Sequence, residues 1–247
     1  MDRTLIPSIA LLALVFGVCE TTGIDLWLQD HFYNFATHRW LVDSDAAVPR
    51  LIFYSGARTL IRYTGYLILA AALFHKWLPF LKGVPRRGLW VVVLTLATAP
   101  ALVGYGKRTT NTFTPAQTRR YGGEYPYVKV IEPYPPNDHP VKRGRAFPAG
   151  HASGGFALLA LAGLATTRRG RAIGIAAGLT AGTIMGTYQM LRGAHYLVDT
   201  LVTALICWIV FLAWRRVLRV SIQKDTDTNP VSREDLDSPG EFRSTSP

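Results

Sequence analysis

His195 and Asp199 stand four residues apart, so a helix beginning there carries both side chains on one face. A carboxylate bonded to one imidazole nitrogen fixes the tautomer and frees the other nitrogen. The free nitrogen is suited to attack phosphorus, and Asp199 then stabilises the cation that forms. Arg192-Gly193-Ala194 immediately precede the histidine. A second piece is Pro148-Ala149-Gly150-His151, followed by Ser153. Gly150 lets backbone approach an anion closely, and amides at a helix start bind phosphate oxygens. His151 would stand beside that phosphate, ready to protonate a leaving alkoxide. Lys107 is the third piece; with Arg192 it supplies positive charge for developing oxyanions.

Each piece has an ordinary reading of its own. A single histidine at the end of an apolar run is more often structural or interfacial. Pro148 and Gly150 also make a turn and a helix start, and Arg192 also reads as a snorkelling anchor. Weight comes from the three pieces meeting at one face. His31, His38 and His75 read as interfacial, and His139 as a loop residue.

The elements that must position these residues are apolar runs. The 247 residues are 49% hydrophobic, and nearly all charges fall between runs that approach the roughly 20 residues needed to cross a bilayer. A soluble helix would spread charge along one face instead. Six candidate spans lie at about 4–22, 57–78, 88–106, 151–167, 172–191 and 195–217. The expected fold is all-α, an integral membrane six-helix bundle with a long outward-facing loop between spans three and four. The first run mimics a signal peptide but lacks a clear small-residue cleavage pattern, so it reads as an uncleaved span. After it, Asp25, Trp27, His31, Tyr33, His38 and Trp40 fit a short helix at the interface. Gly174, Gly178, Gly182 and Gly186 recur every four residues and let a neighbouring helix approach. Cys19 and Cys207 both fall in apolar runs; neither a disulfide nor a metal-ligand spacing is expected. Residues 1–221 form the expected membrane domain, and the polar stretch 222–247 reads as a disordered cytoplasmic tail.

The formal net charge is +11. In a soluble protein that would point to nucleic acid; here much of it flanks apolar runs, so nucleic acid is not an expected partner. Arg3, the Lys76–Arg87 group, Arg168–Arg171 and Arg215–Arg219 fall on one side of an even number of spans. The excess of basic residues makes that side cytoplasmic, and both termini with it. The long loop is then external yet basic, with Arg119, Arg120 and Arg145 among its cations. Binding an anion explains this excess, and a solvated loop beside anionic headgroups explains it equally.

These residues resemble the type-2 phosphatidic acid phosphatase family, membrane relatives of vanadium haloperoxidases. The signatures are K-x6-R-P, P-S-G-H and S-R-x5-H-x3-D, and the resemblance covers roughly residues 60–217. It implies a six-helix bundle, no metal or cofactor, and a phosphohistidine intermediate. It also implies His195 as nucleophile, Asp199 as its orienting partner, His151 as general acid, and Lys107 with the Gly150 amide as phosphate ligands. The chain departs from the pattern at three places. Thr114 and Gln189 stand where arginines are usual, and Ala149 where serine is usual. Arg192, Arg119, Arg120 and Arg145 are the expected replacements, the first by proximity to His195, the others from the basic loop. Ser153 and Gln189 complete the expected phosphate-contacting set. The expected activity is hydrolysis of a phosphate or pyrophosphate monoester of a membrane lipid: lipid A, undecaprenyl pyrophosphate or a phospholipid phosphate. The expected location is a bacterial inner membrane, with the site facing the periplasm. Transfer of the phosphoryl group to a second lipid, and a non-catalytic lipid-phosphate binding or transport role, remain alternatives. The oligomeric state is left open.

Overall fold

The computed structural model describes residues 4–220; the expected tail, 222–247, lies outside the described residues. Each of the six apolar runs is helical. α1 is Leu5–Thr21, and a 70° bend separates it from α2, Ile24–Asp30. A two-residue antiparallel pair follows, β1 (Tyr33–Asn34) against β2 (Arg39–Trp40), which amends the all-α expectation. α3 (Ala47–Arg50) runs through a π-helical turn, Leu51–Gly56, into α4, Ala57–Phe74. α5 is Arg86–Thr109, α6 Gly150–Ala157, α7 Arg168–Leu191 and α8 Leu197–Val217. Among the described residues α5 and α8 are long and apolar enough to cross a membrane, and the bent pair α1–α2 passes the same test if it counts as one span.

α6 differs from the expected fourth span. Its 8 residues continue as a 7-residue 3₁₀ stretch, Leu158–Leu164. At rises of about 1.5 and 2.0 Å per residue the two parts together reach roughly 26 Å, against about 22 Å for an unbroken α-helix. The tighter winding stretches a short segment toward the thickness of a hydrocarbon core, about 30 Å.

The glycines of α7 explain how α6 is held. A Cβ on Gly178 would run into the backbone of Leu159, and one on Gly174 into that of Ala162. From the other side, a Cβ on Gly155 would stand 2.7 Å from the backbone of Gly182. The two helices therefore meet main chain to main chain, as small residues permit between helices that lie in lipid. α8 is the hub. It packs on α1, α5 and α6, and two indole N–H groups bridge it to its neighbours, Trp208 to Ser8 Oγ and Trp214 to Thr98 Oγ1, each at 2.9 Å. Thr167 caps α7, its hydroxyl accepting the Gly170 amide.

Gly178→Val is expected to destabilise by about 3 kcal/mol, the upper end for overpacking, because backbone cannot step aside. Thermal unfolding of the protein in detergent measures this, and an unchanged midpoint would refute the close contact.

Candidate active site

α8 begins at a cluster of buried carboxylates. Asp199, 1% exposed, lies in its first turn. Its Oδ2 accepts from His195 Nδ1 at 2.8 Å and from the Tyr196 amide at 3.1 Å. Asp25, from α2, accepts the Val198 amide at 2.9 Å. Both carboxylates thus take N–H groups that a helix start leaves unpaired, where the helix dipole favours negative charge. With a carboxylate as acceptor, His195 Nδ1 carries the proton and Nε2 is left for chemistry. The preceding turn admits no side chain: Gly193 has φ +68°, and a Cβ there would overlap the Trp40 ring.

The His151 segment is pinned to the same helix start. Ala149 donates its amide to the Asp199 carbonyl at 3.1 Å. Lys107 Nζ donates to the Arg145 and Ala146 carbonyls at 3.1 and 3.0 Å. Its Cε would lie 3.0 Å from a Cβ on Gly150, so the bare glycine is what lets the lysine lie across this helix start. The Ser153 hydroxyl donates to the Gly150 carbonyl at 2.7 Å, which fixes it on its own helix.

Tyr54, from the π-helical turn, joins two of the pieces. Its ring lies 4.2 Å from that of His151. The Arg192 guanidinium sits against the rings of Tyr54 and Tyr188, at 5.7 and 5.8 Å, and its buried Nε has no hydrogen-bond partner. Lys107, Arg58, Arg192 and His195 all act electrostatically on His151.

A cavity of about 670 Å³ opens between α4, α5 and α6. One end carries Lys107, His151, Arg58 and Arg62; the rest is largely apolar, with Leu69, Val93 and Leu96 among its walls. His195 and Asp199 do not line it; the structure holds them buried at the start of α8, beside the segment that carries His151. Among the described residues no three His, Cys, Asp or Glu side chains gather to hold a metal.

The structure thus brings His195, Asp199, His151, Lys107, Gly150, Ser153 and Arg192 to one end of the bundle. It does not bring the loop arginines there as anion ligands. Arg119 makes a two-pronged ion pair with Asp138, and Arg120 one with Asp30. Arg145 is exposed and lends the site its carbonyl. Gln189 is 3% exposed, and its Oε1 has no hydrogen-bond partner. Sequence reasoning placed Asp25 only in an interfacial helix and missed Tyr54, Arg58 and Arg62. The last two did leave a signal, two arginines four apart at the end of an apolar run.

The family model described as the PAP2 superfamily matches residues 88–222. The chain is 23% identical over 194 residues to a lipid A 4'-phosphatase of Francisella tularensis subsp. novicida (strain U112), covering 76% of this chain and 82% of that one. No solved structure matches.

The two ion pairs tether the loop. The Arg119 guanidinium holds Asp138 below the usual carboxylate range, and Arg120, with the Tyr121 hydroxyl, does the same for Asp30. Depressed carboxylate values contribute stability that is present at neutral pH and lost as pH falls through them, below about 4. At pH 7, Arg120→Ala is expected to speed hydrogen exchange of the 117–125 amides by about fivefold, the effect of an exposed ion pair worth about 1 kcal/mol. Unchanged exchange would show that the Arg120–Asp30 pair does not hold the loop.

Proposed function

Because the chain belongs to the PAP2 superfamily, we propose that it is a membrane lipid phosphatase working through a phosphohistidine. The observation that carries this reading is the two-ended cavity: a cationic end at Lys107 and His151, next to the His195–Asp199 pair, and an apolar body. A phosphate on a long hydrocarbon tail has the same two-ended character. The relative from Francisella, itself a lipid A 4'-phosphatase, supports a glycolipid phosphate as the first substrate to test. All six helical segments then cross the bilayer, with the cavity's cationic end on the periplasmic side and both termini in the cytoplasm. This follows from the distribution of basic residues.

In this mechanism His195 Nε2 attacks phosphorus, forming an N–P bond as the bond to the lipid oxygen breaks. Asp199 stabilises the imidazolium, and His151 protonates the departing alkoxide. Lys107, the Gly150 amide and Arg192 stabilise charge on the equatorial oxygens. Water, deprotonated by His151, then attacks the phosphohistidine and releases inorganic phosphate, returning both histidines to their starting states.

Phosphate release from lipid A, undecaprenyl pyrophosphate and phosphatidic acid, each in detergent micelles, tests the reading. His195→Ala is expected to lower kcat by at least about 10³-fold, and Asp199→Asn by about 10²- to 10⁴-fold through the wrong tautomer. Vanadate should compete with substrate as a mimic of the five-coordinate state. Full activity in His195→Ala would overturn the mechanism. For topology, a reporter fused after Arg219 should read cytoplasmic, and an external signal would invert the assignment.

A further inference from the structure

Lys107 cannot hold a tetrahedral oxyanion alone. An ammonium has three protons, and two of them go to the Arg145 and Ala146 carbonyls. Arg192, held against two tyrosine rings with its buried Nε unpartnered, offers one guanidinium. The loop arginines Arg119 and Arg120 are committed to Asp138 and Asp30. A reacting phosphoryl group spreads its charge over three equatorial oxygens, and a second source of guanidinium donors beside Arg192 would hold them as arginines at Thr114 and Gln189 would.

The cavity contains such a source. Arg58 and Arg62 lie four apart on α4, so their side chains share one helical face, and both line the cavity with Lys107 and His151. No Asp or Glu lines that cavity, and among the described residues neither arginine has an ion-pair partner. Arg58 is near enough to His151 to act on it electrostatically. Each guanidinium offers five donors in a fixed fork that matches phosphate.

We propose that Arg58 and Arg62 bind the reacting phosphate, supplying from α4 the guanidinium contacts absent at Thr114 and Gln189. The inference rests on the phosphatase reading of the same site. Both residues precede the segment matched by the family, so the phosphate would be held jointly by that segment and by a helix outside it.

The test compares wild type, Arg58→Ala, Arg62→Ala, the double variant and Arg58→Lys in detergent. Substrates are a lipid monophosphate and a short-chain, water-soluble phosphate monoester. Alanine keeps α4 helical, so unfolding midpoints should not move. Each single alanine variant is expected to lose about 10²-fold in kcat/KM, as for one transition-state donor, and to weaken vanadate inhibition in parallel on both substrates. Arg58→Lys should recover only part, since it keeps the charge and loses the fork. Thr114→Arg added to Arg58→Ala should restore activity in part. Wild-type activity that disappears in His195→Ala but persists in the double variant overturns this inference alone. A loss confined to the lipid monophosphate also overturns it, showing that the arginines contact the lipid away from the reacting phosphate. If wild type releases no phosphate from any lipid, and neither substrate nor vanadate binds, the phosphatase reading fails first.

Discussion

The site is organised around one buried carboxylate. A charge as enclosed as that of Asp199 is costly unless hydrogen bonds and opposite charge surround it. The chain supplies them from the residues that must be positioned. His195 and the Tyr196 amide bond to the side chain. The carbonyl of the same residue accepts the Ala149 amide and, at 2.7 Å, the Thr203 hydroxyl. The histidine on one segment and the helix start on the other are therefore fixed to a common reference residue. Replacing the Asp199 side chain would free the histidine and leave the helix start anchored, because the carbonyl that holds Ala149 belongs to the main chain.

Rigidity below the site comes from a different source. α6 and α7 touch through glycine, where main chain meets main chain and neither side can adjust. Above it, Trp40 presses on Gly193, Val42 donates its amide to the Leu191 carbonyl, and Gln29 Nε2 reaches the Met190 carbonyl at 2.8 Å. The turn that presents His195 is thus braced from outside the bundle by the hairpin and α2. Such support fixes the position of the His195 imidazole from several directions.

The sequence made some of this legible and left some of it hidden, for physical reasons. Helical segments could be read from apolar runs, because burial and membrane insertion both select for them. The His195–Asp199 pairing could be read from its four-residue spacing, although His195 precedes α8 and the bond closes across the helix start, not along one helical face. The 3₁₀ winding after Ala157 could not, since its apolar residues suit an α-helix equally. Nor could the fate of the basic loop. Arg119 and Arg120 carry the same charge whether they face a phosphate or an aspartate, and only the fold places Asp138 and Asp30 opposite them. Tyr54 was equally hidden, because it reaches His151 through a turn whose geometry no local pattern announces.

The π-helical turn and α4 precede the family-matched segment, which begins at residue 88, yet they contribute Tyr54, Arg58 and Arg62 to the same cavity and its surroundings. The cavity is thus walled by two stretches of one chain, one matched by the family and one that precedes it. A change confined to the earlier helices would alter the shape and positive charge of that wall while His195, Asp199 and His151 stay where they are.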